Sequence, residues 1–330
     1  MTARHGHDAA PRVPGSLDGV AAVVVTYRRR RLAGNVVRSL LGTEGFDPSH
    51  VIVVVNGEGG LDDTDLEDRV FLHRLPANLG PAGAFRHGLI EAFSDPSVEW
   101  AYLCEDDVGL FAVPAPRVAD VVGRAEAAGR AAGPDEPPIG AVVSYGRLFT
   151  ARGGHTVNSV PASGGAFGLA PVDVACWGAT LVARAVVDAG VLPDTDWFFG
   201  YEDFDFFCRL RAAGFSVMVD VAAARAVADQ QTSRGRADTL APHRPVDAEE
   251  AWRAYYVARN FVTFARRHGT PSWQAWHLVY SVRRLQLAGG RLERSAYLHG
   301  LWDGFRGRLG PNPRYQSRLG ELPLPGDDTR

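Results

Sequence analysis

The alternation of Val-rich apolar runs with amphipathic stretches constrains this chain more than any other feature. "GVAAVVVTY" (19–27), "HVIVVVNG" (50–57), "RVFLHRL" (69–75) and "VEWAYLC" (98–104) read as strands. The first, apolar at every position rather than every second one, has the pattern of a strand covered on both faces. Leu32, Val36, Val37, Leu40 and Leu41 share one helical face, with Gly45 as the stop. Residues 82–95, 115–132 and 202–214 read as further helices, and 139–144, 172–183 and 215–221 as further strands. Strands alternating with helices need right-handed crossovers, which predicts an α/β, doubly wound, mostly parallel sheet with helices on both faces. The Gly-rich stretch 145–171 reads as a long loop, a feature that is usually functional. Residues 251–269 and 272–310 read as a C-terminal helical extension. The expected organisation is a lead-in over 1–18, one domain over 19–250, the helical segment 251–310 and a loose tail over 311–330.

Charge narrows the partners. A net charge of −3 over 330 residues argues against a polyanion binder, so no nucleic-acid partner is expected. All 35 basic residues are Arg, and no Lys is present. Arg clusters therefore carry less meaning than usual. Arg28–Arg31 reads as a solvated turn, with a phosphate contact as the alternative. The three cysteines are far apart and apolar in context, which predicts buried thiols in a reducing cytoplasm rather than disulfides or a zinc site. The N-terminal residues lack the apolar core of a signal peptide, and no apolar run approaches the ~18–20 residues of a membrane span.

In an open parallel sheet, ligands bind beyond the carboxyl ends of the strands. Thr26, Tyr27, Asn56, Asn78, Gly80 and the acids after Cys104 all fall there. No G-x-G-x-x-G follows the first strand, no P-loop is possible without Lys, and no G-x-S-x-G is present. Within "YLCEDDV", strand alternation points Glu105 and Asp107 one way and Asp106 the other. Two carboxylates about 7 Å apart along a strand can reach one hard cation shared with substrate phosphates; the alternative is a solvated turn. The second acidic group, in "YEDFDFF" (201–207), opens a helix, where acids are favoured in any case. Its aromatic neighbours would raise a carboxylate's pKa and make it a better proton acceptor near neutrality.

"AAVVVTYRR", "VIVVVNGEGG", "NLGPAGAFRHGL", "YLCEDDV", "WGATLVAR" and "FFGYEDFDFFCRLRAAG" follow one another in an order that resembles the family 2 glycosyltransferases. "YYVARN" (255–260) is similar to a segment of the galactofuranosyl- and rhamnosyl-transferase members. The resemblance spans residues 20–268. It implies the GT-A fold and an inverting, metal-dependent transfer of a sugar, with galactofuranose or rhamnose as first guesses. The donor would be a UDP- or dTDP-sugar and the acceptor a glycan or lipid-linked hydroxyl. By the same resemblance, Glu105 and Asp107 match the outer acids of the D-x-D motif that hold Mg2+ or Mn2+. Asp203 matches the catalytic base, with Glu202 beside it. Thr26, Tyr27 and Asn56 match the nucleotide pocket, and Asn78, Gly80 and Gly83 the loop over the donor, with Arg86 and Asp106 on the donor side. Trp177, Gly178 and Tyr201 match the acceptor and sugar shelf.

Two positions depart from the pattern. Val55 stands where the family usually has Asp, and Asp229, in "VADQQTS", where it often has a His metal ligand. The C-terminal helices, with Trp273, Trp276, Trp302 and many Arg, read as a surface resting peripherally on the inner face of the plasma membrane, as a cap on the sheet, or as a homodimer face. A sugar-phosphate nucleotidyltransferase using Arg28–Arg31, and a non-catalytic nucleotide-sugar-binding module, are the rival functions.

Overall fold

A computed structural model of the chain describes residues 16–106, 116–150, 156–159, 161, 163–233, 251–287 and 290–316. The Val-rich runs form β1 (Val20–Thr26), β2 (Val51–Val55), β3 (Phe71–Arg74) and β4 (Trp100–Glu105), with α1 (Arg30–Ser39), α2 (Thr64–Glu67) and α3 (Gly80–Ala92) between them. β1 pairs in parallel with β2 on one side and β4 on the other, placing Val24 beside Val53 and Cys104. α1 continues into a π-helical turn that ends at Gly45 in the left-handed conformation, at the predicted stop.

Beyond α4 (Val118–Ala131) and β5 (Ile139–Val143), the structure departs from expectation. The stretch 145–171, read as loop, contains β6 (Gly146–Phe149), β7 (Thr156–Ser159) and β8 (Leu169–Pro171). Three or four residues between glycines are too few to show a period. The predicted strand over 172–183 is two strands in different sheets, β9 (Val174–Ala175) and β10 (Thr180–Ala183). A turn with Ala179 at φ +54° separates them. α5 (Arg184–Asp188), α6 (Glu202–Ala212), β11 (Ser216–Asp220) and α7 (Val221–Ser233) follow.

The main sheet runs β3-β2-β1-β4-β10-β5-β11-β8, and β7-β6-β9 form a small antiparallel sheet. Six strands of the main sheet share one direction; β10, inside it, and β8, at its edge, oppose them. This is the expected mostly parallel, doubly wound sheet. Val23, Ile52 and Leu103 face Phe85 and Leu89 of α3 and Phe206 and Leu210 of α6 on one side. Val24, Val53 and Cys104 face Val37 of α1 and Val122 of α4 on the other. Burial on both faces is why these strands are apolar throughout.

The predicted 272–310 helix is divided in two. The C-terminal elements are α8 (Ala251–Arg267), α9 (Pro271–Leu287), α10 (Arg291–Phe305) and α11 (Pro313–Gln316). Two glycines set α10 against α8. A Cβ on Gly300 would stand 2.2 Å from the Tyr255 carbonyl oxygen, and one on Gly304 2.5 Å from that of Arg259. α8 is bonded to the body it follows: Arg267 pairs with Asp194 at 2.7 Å, and His268 Nε2 lies 2.8 Å from Asp205 Oδ1. Asp205 is thereby used in holding α6 to α8. All three cysteines are free. No helix among the described residues is long and apolar enough to cross a membrane.

Candidate active site

Two adjoining cavities open at the carboxyl ends of β1, β2 and β4. The first, of about 300 Å³, is lined by Tyr27, Arg29, Asn56, Asn78, Gly80 and Asp106, with Arg253 of α8 among the others. The second, of about 500 Å³, is lined by Arg147, Cys176, Trp177 and residues 199–204. Pro81, Glu105 and Phe199 line both. Glu105 therefore stands at the junction, and Asp203 lies in the second cavity, so members of both acidic groups meet in one cleft. Asp107 lies outside the described residues.

The first cavity is built by polar side chains that hold backbone. Asn56 donates through Nδ2 to Asn78 Oδ1 (3.0 Å) and the Gly80 carbonyl (3.1 Å), and accepts from the Leu79 amide (2.8 Å). Both its donors are used, so Asn56 positions the turn before α3 rather than offering its amide to a nucleotide. Gly80, at φ +74°, sits where a Cβ would fall 1.8 Å from the Phe198 carbonyl oxygen. The N-terminus of α3 thus packs directly on the segment leading into α6. Asp106 accepts from Thr26 Oγ1 at 2.9 Å and pairs with Arg29 at 3.0 Å. Of the arginines after β1, Arg28, Arg30 and Arg31 stand exposed, as the solvated-turn reading expects, while Arg29 is half-buried. Arg28 pairs with Glu58 at 2.7 Å, and Arg30 donates to the Leu61 carbonyl at 2.8 Å.

The second cavity is entered through a turn in an uncommon conformation. Phe198 (φ +63°), Gly200 (φ +80°) and Tyr201 (φ +69°) all have left-handed φ. For bulky aromatic residues this costs energy and persists only where the surroundings over-determine it. Asn260 and Arg259 of α8 do so. Asn260 Nδ2 reaches the carbonyls of Trp197 (3.0 Å), Phe199 (2.7 Å) and Gly200 (2.8 Å), and Arg259 donates to that of Trp197 (2.8 Å). Both clamp residues are buried. The turn delivers Glu202 and Asp203 at the first positions of α6.

Those two acids are set among Phe199, Tyr201 and Phe204, with Arg147 and Cys176 beside them. Burial pushes the Asp203 carboxyl up to about 6, against the opposing pull of the Phe204 amide, the Cys176 thiol and Arg147. Burial, and then the charge of Asp203, raise Glu202 well above the ordinary carboxylate range. Glu202 Oε2 is buried without a hydrogen-bond partner. An adjacent pair of this kind does not ionise twice at neutral pH without help.

Of the other sequence-predicted residues, Gly83 and Arg86 line neither cavity; Arg86 donates to the Pro193 carbonyl at 3.2 Å. Gly178 is likewise outside both linings, and Trp177 is chiefly a core residue, packed on Phe85 and Phe206. Tyr201 lines the second cavity. Asp229, which stands where the resemblance puts a His metal ligand, lies on an exposed face of α7 and lines neither cavity. Sequence reasoning missed Arg147 and Arg253. Arg147 lay in a stretch read as loop, and Arg253 was discounted with the other arginines. Arg147's pull on Asp203 places a cation near the acid pair.

Among the described residues no three His, Cys, Asp or Glu side chains form a metal cluster. Glu105 at the junction nevertheless suits a divalent ion that takes its remaining oxygens from a bound diphosphate and water.

No protein-family model and no curated sequence matches this chain. Solved structures with a similar backbone path include the mannosyltransferase PcManGT from Pyrobaculum calidifontis in complex with GDP-Man and Mn2+. The TM-score is 0.41 at 13% identity, covering 93% of this chain and 80% of that one. GalNAc-T7 with UDP, GalNAc and Mn2+ is similar with a TM-score of 0.45 at 11% identity, over 62% of this chain and 42% of that one.

Proposed function

We propose that the chain is an inverting glycosyltransferase that moves a hexose from a nucleotide-diphospho-sugar to an acceptor hydroxyl. The observation that carries this reading is Glu105 shared by two cavities, with Asp203 across the second. The nucleotide would occupy the first cavity, against Tyr27, Arg29 and Arg253. The diphosphate would lie at Glu105, and the sugar and acceptor in the second cavity.

Glu105, with Asp107 two residues on, would hold Mg2+ or Mn2+, which when bound neutralises charge on the departing diphosphate. Asp203, raised to about 6, is still ionised at neutral pH and is a stronger proton acceptor than an ordinary Asp. It takes the hydroxyl proton as the acceptor oxygen bonds to the anomeric carbon. The bond from that carbon to the diphosphate oxygen breaks, and the nucleoside diphosphate leaves with the electron pair. Attack from the side opposite the leaving group inverts the anomeric centre. UDP- or dTDP-galactofuranose or -rhamnose, and a glycan or lipid-linked acceptor, are the substrates to try first.

Three of the arginines after β1 engage Glu58, Asp106 and the Leu61 carbonyl. This weighs against the nucleotidyltransferase reading, which would need that loop for a triphosphate. Incubation with a panel of nucleotide sugars and Mn2+ should release nucleoside diphosphate, and a chelator should abolish the release. Pyrophosphate formed from a nucleoside triphosphate and a sugar phosphate would overturn the assignment, as would the absence of turnover on every donor.

A further inference from the structure

The C-terminal helix pair turns large apolar side chains outward. The inward side of α9 is mixed: half-buried Trp273 packs on Phe149 and half-buried Leu285 on Ala254, Ala258 and Tyr297, while His277 and Ser281 are fully buried and half-buried Arg284 pairs with Glu293 of α10 at 2.8 Å. Tyr297 of α10 donates to Ser281 Oγ at 3.3 Å. The outer face of α9 carries Trp276, Leu278, Val279 and Val282, with Leu278 64% exposed. A helix resting on a protein core in water keeps its outer face polar. α10 repeats the theme. Leu298, Trp302 and Phe305 recur at three- and four-residue spacing on its outer side, and Phe305 is 60% exposed.

The patch is local. Nine of the thirteen large apolar side chains that stand exposed among the described residues belong to these two helices. Leu278 and Phe305 also line one groove of about 500 Å³, shared with Val262 and Leu301. Isolated exposed apolar residues need no explanation, but a contiguous set marks a surface that something covers.

Charge selects the cover. Residues 271–316 carry seven arginines and two acids. Both acids are buried and paired, Glu293 with Arg284, and Asp303 with Tyr255 and Arg308. Arg283, Arg291 and Arg306 are exposed around the apolar residues. A second copy of this chain would bring like charges together. An anionic bilayer surface offers hydrocarbon for the apolar face and phosphate for the arginines that ring it.

We propose that α9 and α10 dock this protein on the surface of an anionic membrane, their outer faces in the interfacial layer. α9 has 17 residues, and at 1.5 Å per residue that is about 25 Å, so it lies along the surface rather than through the bilayer. The proposal does not depend on the glycosyl-transfer reading, because it rests on the helix faces alone.

Co-sedimentation of the full chain with vesicles tests it. Vesicles of equal parts phosphatidylcholine and phosphatidylglycerol should pellet the protein, phosphatidylcholine alone should pellet much less, and added salt should weaken binding. The double substitution Leu278→Glu and Val282→Glu should cut the bound fraction about tenfold without lowering the thermal midpoint. If that variant unfolds, Arg283→Glu with Arg291→Glu replaces it, with the same loss expected. Wild-type protein remaining in the supernatant would overturn the proposal, as would folded variants that bind as well as wild type. A dimer in sedimentation velocity that the same substitutions dissociate would also overturn it, making this face a self-interface.

Discussion

The cleft holds two adjacent-acid pairs that the fold treats oppositely. Asp106, at the end of β4, has both oxygens engaged, one by Thr26 and one by Arg29. Its charge is matched, and it fastens the loop after β1 to the end of β4. Glu202 and Asp203, at the start of α6, sit among Phe199, Tyr201 and Phe204, and burial raises both. The same side-chain chemistry is a fastener in one place and, in the proposed reaction, the proton acceptor in the other. The difference lies in what surrounds each carboxylate: direct bonds from a guanidinium and a hydroxyl in the first case, and in the second a largely aromatic wall whose burial outweighs the pull of Arg147 and Cys176.

The sharpest way to break that comparison is to remove one carboxylate from each pair. Asp203→Asn should lower kcat about 10²–10⁴-fold, the range for loss of a general base, with donor KM nearly unchanged. Asp106→Asn keeps one hydrogen bond and loses the charge that Arg29 answers. It should cost about 1–3 kcal/mol of stability and less than about tenfold in kcat. Steady-state kinetics beside thermal denaturation separate the two. If Asp106→Asn matched Asp203→Asn in kcat while melting normally, the division of labour would be wrong.

A smaller effect should come from the clamp behind the second pair. Asn260→Ala removes the donor shared by the carbonyls of Trp197, Phe199 and Gly200, leaving the left-handed turn with the Arg259 hydrogen bond and the packing of Phe198 on Tyr256 and Tyr201 on Phe261. A misplacement of the order of 1 Å at a reacting group costs up to about 10²-fold, so kcat should fall roughly ten- to a hundredfold. Water reaching Asp203 would also move the acidic limb of the kcat profile below its wild-type position. A purely structural Asn260 would lower the melting temperature and leave that limb in place.

The main strands and the flanking helices were legible because burial on both faces and 3.6-residue spacing leave marks in sequence. β6, β7 and β8 left none, being short and set among glycines. Both acidic groups could be picked out as chemistry, since charge beside apolar runs is conspicuous. Their opposite fates could not, because Arg29 and the 198–201 turn come from elsewhere in the chain. The role of Asn56 was hidden for a similar reason: a polar residue at a strand end reads the same whether it meets ligand or backbone. Arg259 and Asn260 lie about sixty positions beyond the carbonyls they hold, a pairing that no local pattern records.

The smallest expected effect concerns stability and carries a sign that kinetics do not. The Asp203 carboxyl is raised to about 6 in the folded chain, while an unfolded Asp titrates near 3.9. Between those values the folded state holds a proton that the unfolded state has lost. Its stabilising contribution is complete below about pH 4 and fades as pH rises through about 6. Above that, folding buries an unfavourable charge. Asp203→Asn removes this cost, so at pH 7.5 the variant should melt a few degrees higher than wild type, and at pH 4 the two should coincide. Glu202, raised by burial and by Asp203, should relax toward its ordinary range once its charged neighbour is gone. That relaxation lessens the cost of burying Glu202 and so adds to the gain at pH 7.5. A variant that is less stable than wild type at pH 7.5 would mean that the Asp203 charge is well answered in the folded state. The contrast with Asp106 would then vanish.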